Sequence, residues 1–220
     1  MDQKTIKDYY QKGTDSFELK EQYLHYLKEI VPFEGWNVKA LEEISEKLGH
    51  LKAHYKLAFP KGVEDAVEFY EDYAIAEMLY NLSKLTKPTS ITAQIEQALN
   101  VRIFNSSFSK LFIRKTASYF ASPANACLSL KYAWKTASEI WYYAGDNSID
   151  FNYYTKRSLL AGIYLSSLAY YLNDESEEGY KTKLFITKSL EKIVHFAKIS
   201  QRIKMSLPSL SDIPVLRMFL

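Results

Sequence analysis

Residues 140–171 read I-W-Y-Y-A-G-D-N-S-I-D-F-N-Y-Y-T-K-R-S-L-L-A-G-I-Y-L-S-S-L-A-Y-Y. One helix ends at a turn and a long one begins about five residues later. Gly145 suits a helix C-cap, where the backbone turns left-handed. Ser148 and Asp150 suit an N-cap, because their side-chain oxygens can accept the free N–H groups of a first turn. From Phe151 to Leu172 there is no Pro and one Gly, so about 33 Å of unbroken helix is expected at 1.5 Å per residue. At 100° per residue its large apolar side chains point nearly all round, which predicts a buried, central helix. Thr155, Ser158, Gly162, Ser166 and Ala169 form a stripe of small residues that would let a second backbone come close. Lys156 and Arg157 lie within the helix and argue against a membrane span.

Working outward, apolar spacing of 3.6 residues gives helices at Leu19–Val31, Val38–Leu48 and Lys52–Phe59, joined by the turn P-F-E-G-W and by Gly49. This is the outline of a helix-turn-helix. A long acidic helix follows from about Val63 to Leu85, then Ile91–Phe104, Phe108–Phe120, a helix opened by Ser122-Pro123 and closed near Tyr143, the central helix, and a last one over Gly179–Lys204. The tail after 204 is apolar with two prolines. No stretch alternates with period two. The expected fold class is therefore all-α, with about 9–10 helices, divided into a helix-turn-helix-like part (1–62), a helical bundle (63–204) and the tail (205–220).

At 220 residues and 47% hydrophobic, the chain can bury a substantial core. The lone Cys127 excludes an intrachain disulfide and fits a reducing compartment; in its apolar helical setting it is expected to be a packed thiol. With no signal peptide visible and Asp2, Asp8 and Asp15 near the N-terminus, a cytoplasmic bacterial protein is expected. Net charge is +2, unevenly spread. Residues 1–62 hold ten Lys and ten Asp or Glu with no Arg. Residues 180–220 hold eight Lys or Arg against Glu191 and Asp212. DNA binding draws its affinity from Lys and Arg against phosphates, so a net zero N-terminal part is a poor footprint and no DNA partner is expected.

No phosphate loop, G-x-S-x-G or H-E-x-x-H occurs. Asp146 and Asp150 fail as an EF-hand, since Phe151 stands where Gly is needed and Arg157 where the bidentate Glu should be; both are expected to be turn and cap residues. His50 and His54 share a helical face but have no third ligand nearby, so no metal site is expected. The sequence carries no catalytic constellation and implies no cofactor.

Two features together carry a family resemblance. The segment Lys20–Phe69, with A-L-E-E-I-S-E-K-L-G and F-P-K-G, resembles the DNA-binding end of TetR-type regulators. The run W-Y-Y-A-G-D-N-S-I-D-F-N-Y-Y-T-K-R-S-L-L-A-G-I-Y closely resembles the signature of the ubiquinone (coenzyme Q) biosynthesis accessory family, the ninth of the numbered CoQ proteins, over about residues 19–204. Some members have Trp where Tyr153 stands here. The resemblance implies a TetR-like helical fold, no enzymatic activity, and binding of an isoprenoid lipid or ubiquinone precursor that is presented to a ubiquinone-pathway hydroxylase. It implies a protein peripheral at the inner membrane face, and a homodimer is expected. For the lipid it points to the apolar face Leu160, Ile163, Tyr164, Ser167, Leu168 and Tyr171, and for the hydroxylase to Tyr153, Tyr154 and Arg157, with Arg157 exposed as a donor fork for a partner carboxylate. Leu207, Leu210, Ile213, Val215, Met218 and Phe219 beside the basic C-terminal surplus suggest contact with anionic lipid. The competing reading is a TetR-like transcriptional regulator that senses a hydrophobic ligand.

Overall fold

The computed structural model describes residues 5–10, 16–146 and 151–192. The expectations for Ser148, Asp150, the far end of the last helix and the apolar tail lie outside them. The described residues are all-α and hold no strand: α1 Phe17–Glu34, α2 Val38–Lys47, α3 Tyr55–Ala58, α4 Val63–Ser83, α5 Ile91–Phe104, α6 Lys110–Phe120, α7 Ala126–Tyr143, α8 Phe151–Leu172, and α9 over residues 180–192, with one single turn of 3₁₀ helix before α1 and three between the later helices.

Local chemistry sets most of these boundaries. Asn37, Ser90 and Ser109 each accept the backbone N–H three residues on, from Ala40, Ala93 and Phe112, satisfying one orphan donor per helix start. Helix α7 ends in a Schellman turn: Gly145 has φ +82, its N–H meets the Tyr142 carbonyl, and the Asp146 N–H reaches the Trp141 carbonyl at 2.9 Å. Two expectations need correcting. The P-F-E stretch is not yet a turn, because α1 runs through Pro32 to Glu34; a proline in the last turn forfeits a single hydrogen bond there, and Gly35 at φ +73 makes the stop. Ser122 and Pro123 open a 3₁₀ turn, after which α7 starts at Ala126.

Two apolar cores share one long helix. The first gathers Tyr23, Leu24, Leu27 and Val31 of α1, Leu41 and Ile44 of α2, Phe59, the Phe69–Ala74 part of α4, and Phe108, Phe112 and Ile113 at α6. The second gathers Ile75, Met78 and Leu82 of α4, Ile95, Leu99 and Ile103 of α5, Ala133, Ala137 and Ile140 of α7, Leu160, Ile163 and Tyr164 of α8, and Ile186 and Leu190 of α9. Trp36 locks the first core to α6, donating from Nε1 to the Thr116 hydroxyl at 2.9 Å with its ring edge-on to Phe112.

Because α4 crosses both cores, its carboxylates are carried inside. Glu71, Asp72 and Glu77 are all buried, where an unpaired charge would be prohibitive. Each has a partner. Arg102 of α5 pairs with Glu71 at 2.9 Å, Lys135 of α7 pairs with Asp72, and the Ser107 N–H donates to Glu77 at 3.1 Å. Burial pushes the Glu71 carboxyl upward, against the pull of Arg102. At the other end of the bundle, Asp174 ties α8 to α9. It accepts from the Ser176 hydroxyl at 2.6 Å and from the Thr182 hydroxyl and N–H at 2.6 and 2.8 Å. These donors hold its carboxyl well below the usual aspartate range.

Two stability outcomes follow. Arg102→Met should cost about 3–5 kcal/mol, because it strands the Glu71 charge, whereas Glu71→Leu with Arg102→Met should restore most of the loss; thermal or urea unfolding of the single and double variants decides it, and a single variant within about 1 kcal/mol of wild type refutes the pairing. For Asp174, the folded state favours the ionised form. Its stabilisation is therefore present above the ordinary aspartate pKa of 3.8 and is lost as pH falls below it towards the folded value. Asp174→Asn should lower Tm at neutral pH, and the gap to wild type should close as the pH is taken below about 4.

Candidate functional site

The site residues foreseen from sequence lie on two faces of α8. Leu160, Ile163, Tyr164 and Ser167 point inward and are buried. Leu168 and Tyr171 are half-buried where the two cores meet. The six therefore form one continuous inner face against α5, α6 and α7. Tyr164 lies with its ring 5.5 Å from the Arg102 guanidinium, and burial pushes its hydroxyl up to about 12, so it is a neutral hydrogen-bonding group at physiological pH. Of this face, Tyr171 alone borders one of the two cavities described: a cleft of about 380 Å³ that it shares with Phe104, Lys110 and Lys183. The other, about 560 Å³, opens on the outer side beside Ser166, Ala169 and Tyr170.

The outer side of α8 departs from expectation. Thr155, Ser158, Gly162, Ser166 and Ala169 are exposed, and a Cβ placed on Gly162 would meet nothing within 4 Å. Gly162, Ser166 and Ala169 thus form an open surface among the described residues. Leu159 and Tyr170 are exposed as well, so among the described residues this side of α8 is open while the opposite side is buried. All-round apolarity in the sequence did not distinguish a wrapped helix from one that presents aromatic and aliphatic side chains outward.

At the start of α8 the turn builds a second cluster. Tyr154 is 61% exposed and Tyr153 half-buried. Trp134 of α7 leans on both, at 6.4 and 6.1 Å between ring centroids, and the two tyrosines meet edge-on at 5.2 Å. The hydroxyls of Tyr142 and Tyr153 are 3.5 Å apart. Beside them Leu130 and Tyr142 are exposed. The result is an aromatic platform on the α7–α8 surface.

Arg157 is not on that surface. It is fully buried. Its Nη1 donates to Asp146 at 3.1 Å and to the Tyr153 carbonyl at 3.3 Å, and its guanidinium lies 3.6 Å from the Tyr153 ring centroid and 5.0 Å from that of Tyr142. The carboxylate it was expected to offer its fork to is supplied by its own chain. The reason is the Schellman turn, which points Asp146 back at the first turns of α8, where Lys156 joins it at 2.7 Å. Arg157 is thus a support beneath the platform. Asp146 is a turn residue as expected, with this pairing in addition.

Sequence reasoning missed Trp134 and Tyr142. The signal for Tyr142 was present: in a hairpin of helices, residues at similar distances from the turn face each other, as Tyr142 and Tyr153 do. Trp134 had no such marker. Cys127 is exposed, not packed, since α7 begins at the surface and buries its side chains from Tyr132 onward. His50 and His54 stack at 3.8 Å, with His54 Nδ1 3.1 Å from the Tyr23 hydroxyl. Among the described residues no group of three His, Cys, Asp or Glu could hold a metal, and no helix is long and apolar enough to cross a membrane.

The arrangement defines a class before it defines a family. It is a TetR-like all-α fold: the TetR transcriptional regulator from Nitrosomonas europaea ATCC 19718 superposes with a TM-score of 0.61, at 16% identity, over 80% of this chain and 97% of that one. This likeness is one of fold. Within that class, the model of the COQ9 family matches residues 126–197, the stretch that holds both the aromatic platform and the buried face of α8. The chain is similar to the ubiquinone biosynthesis protein COQ9, mitochondrial, of Bos taurus (24% identity over 202 residues, 86% of this chain and 63% of that one) and of Homo sapiens (24% over 206 residues, 86% and 63%). It is also similar to COQ9-A of Xenopus laevis (27% over 183 residues, 77% and 56%). The chain thus spans 56–63% of the length of these relatives. They are eukaryotic and mitochondrial, which lends no support to the expected bacterial source.

The burial of Arg157 changes what its removal should do. Arg157→Ala should empty a fully buried site beneath Tyr153 and cost about 2–5 kcal/mol, the scale of a large-to-small change in a core, seen as a large fall in Tm. A variant with wild-type Tm would place the guanidinium outside the protein after all.

Proposed function

We propose that the chain is a lipid-binding accessory protein of ubiquinone biosynthesis, which takes a polyprenylated quinone intermediate from the membrane and presents it to a hydroxylase. It works by binding, without catalysis of its own. Support for the pathway comes from the COQ9 relatives, and for presentation from the aromatic platform. Exposed tyrosines beside a half-buried Trp134, held in place by a buried ion pair, are the kind of residue that dominates a protein interface, and Tyr154 brings a large contact at little rotamer cost. The hydroxylase would dock on Tyr154, Tyr153 and Trp134, with Arg157 and Asp146 fixing the rings from beneath.

The inner face of α8 is where the lipid would lie. An isoprenoid tail gains about 25 cal/mol for each Å² of apolar surface it buries, and ligand sites between packed helices are common. Tyr164 and Ser167 could orient the oxygens of the head. In this reading the protein is peripheral at the membrane, and the exposed outer side of α8, with Leu159 and Tyr170, is where a homodimer would form. The regulator reading rests on fold alone, while the charge balance of residues 1–62 weighs against it.

Tyr154→Ala is the discriminating variant. Its side chain is exposed, so Tm should stay within a degree or two, while affinity for the ubiquinone-pathway hydroxylase should fall at least about tenfold, the scale of an interface hot spot. Mass spectrometry of the lipid that copurifies tests the other half: a polyprenylated aromatic is expected. Unchanged hydroxylase affinity would move the docking surface elsewhere, and a chain purified free of lipid would remove the presentation reading.

A further inference from the structure

The helix-turn-helix end carries a surface that neither core nor platform accounts for. Residues 47–61 read K-L-G-H-L-K-A-H-Y-K-L-A-F-P-K. They contain four Lys and no Asp, Glu or Arg. Leu51 is 85% exposed and Leu57 68%, and Lys52, Ala53, Lys56, Pro60 and Lys61 around them are exposed too. Leucine is costly to leave in water, and a segment free to move could turn these two inward. This one is held. Tyr55, Ala58 and Phe59 are buried in the first core. The Ser45 hydroxyl ties the segment to α2, accepting the Tyr55 N–H at 3.2 Å and lying 2.9 Å from the Tyr23 hydroxyl. The leucines are therefore presented outward by a rigid base, in a field of lysines.

We propose that this tip, Leu51 and Leu57 with Lys52 and Lys56, docks on an anionic lipid bilayer. Charge complementarity selects the occupant. An anionic membrane surface offers both halves of what the tip lacks: apolar depth for two leucines and negative headgroups for ammonium groups. A duplex offers the charge but nothing for the leucines to enter, and its bases are best read by Arg, which is absent before Arg102. The lysines are available for the purpose. Lys52 meets Glu46 at 3.8 Å and Lys61 meets Glu64 at 3.9 Å, exposed pairs that hold weakly; Lys47 is paired more closely with Glu43, at 2.9 Å; and Lys56 makes no ion pair among the described residues. The contact takes its purpose from the lipid-presenting reading, since it would seat the molecule at the surface from which the ligand comes.

The test is co-sedimentation of the full chain with vesicles of phosphatidylcholine, alone and with phosphatidylglycerol added. Binding to the anionic vesicles is expected, weakened by salt. Leu51→Ser with Leu57→Ser should reduce it at least about tenfold with Tm unchanged, because both side chains are exposed. Lys52→Gln with Lys56→Gln should reduce binding to the anionic vesicles and leave the neutral ones unaffected. A leucine variant of wild-type stability that still sediments like wild type overturns the proposal. So does tight, lysine-dependent binding to duplex DNA at physiological salt by a chain that ignores vesicles, or protein-only capture at the tip with no vesicle binding. The readouts separate it from the reading it serves: a chain that docks through Leu51 and Leu57 but carries no lipid would sink presentation and leave the docking surface standing.

Discussion

Burying a charge is tolerable only beside its opposite, and this fold is arranged around that constraint. Helix α4 is the backbone of both cores, so its inward side chains meet neighbours from every direction, and three of them are carboxylates. Arg102 from α5, Lys135 from α7 and a backbone N–H at Ser107 each answer one. These pairs fix which faces of α5 and α7 can turn towards α4. Replacing such pairs with apolar side chains often costs little or even stabilises, so their worth here lies less in net stability than in register: a rotated α5 would leave Glu71 in a dry interior without a cation.

The same rule operates at smaller scale under the aromatic platform. A Schellman turn needs a left-handed residue, and Gly145 provides it. Its consequence is the direction of Asp146, which turns back on α8 and draws Arg157 in. With the guanidinium anchored, the Tyr153 ring has a flat cationic surface to lie on, and Tyr142 and Trp134 close around it. Gly145, Asp146, Tyr153 and Arg157 thus act as one unit within the signature that carries the family resemblance. Their spacing is a requirement of geometry, and the outward product is a rigid, mostly aromatic surface that loses little entropy on being covered.

Most of the helical framework was legible in the sequence because it rests on local chemistry. The glycine stop at 145 and the long unbroken run after 151 depend on residues within a few positions of each other. What failed depends on the third dimension. Glu71, Asp72 and Glu77 look like the solvated side of an acidic helix until α5 and α7 are laid against them. The small-residue stripe of α8 looks like a close-packing seam, yet its side chains are exposed. Arg157 reads as a free donor because its partner lies across a turn whose direction no periodicity encodes. Of the candidate site, the inner face of α8 could be read from helical spacing, as could Tyr154; Trp134 could not, because its neighbours come from the crossing of α7 and α8.

The N-terminal end has a helix-turn-helix-like frame whose outward chemistry does not suit a groove. A helix that reads a major groove must present several side chains to base edges along its length. Here α3 is four residues long, Tyr55–Ala58, and Tyr55 and Ala58 are spent on the core. What remains outward is Lys56 and Leu57, extended by the 3₁₀ turn before it. An outward leucine has no hydrogen bond to give a base edge, and contact with a thymine methyl covers little of it. The same pair at a lipid surface divides its labour without conflict, the leucine into the acyl boundary and the ammonium at the headgroups, where its alkyl stem can lie along the interface. On the proposed docking, the helix-turn-helix-like frame would serve as a stiff mount that reads surface charge and depth instead of base edges.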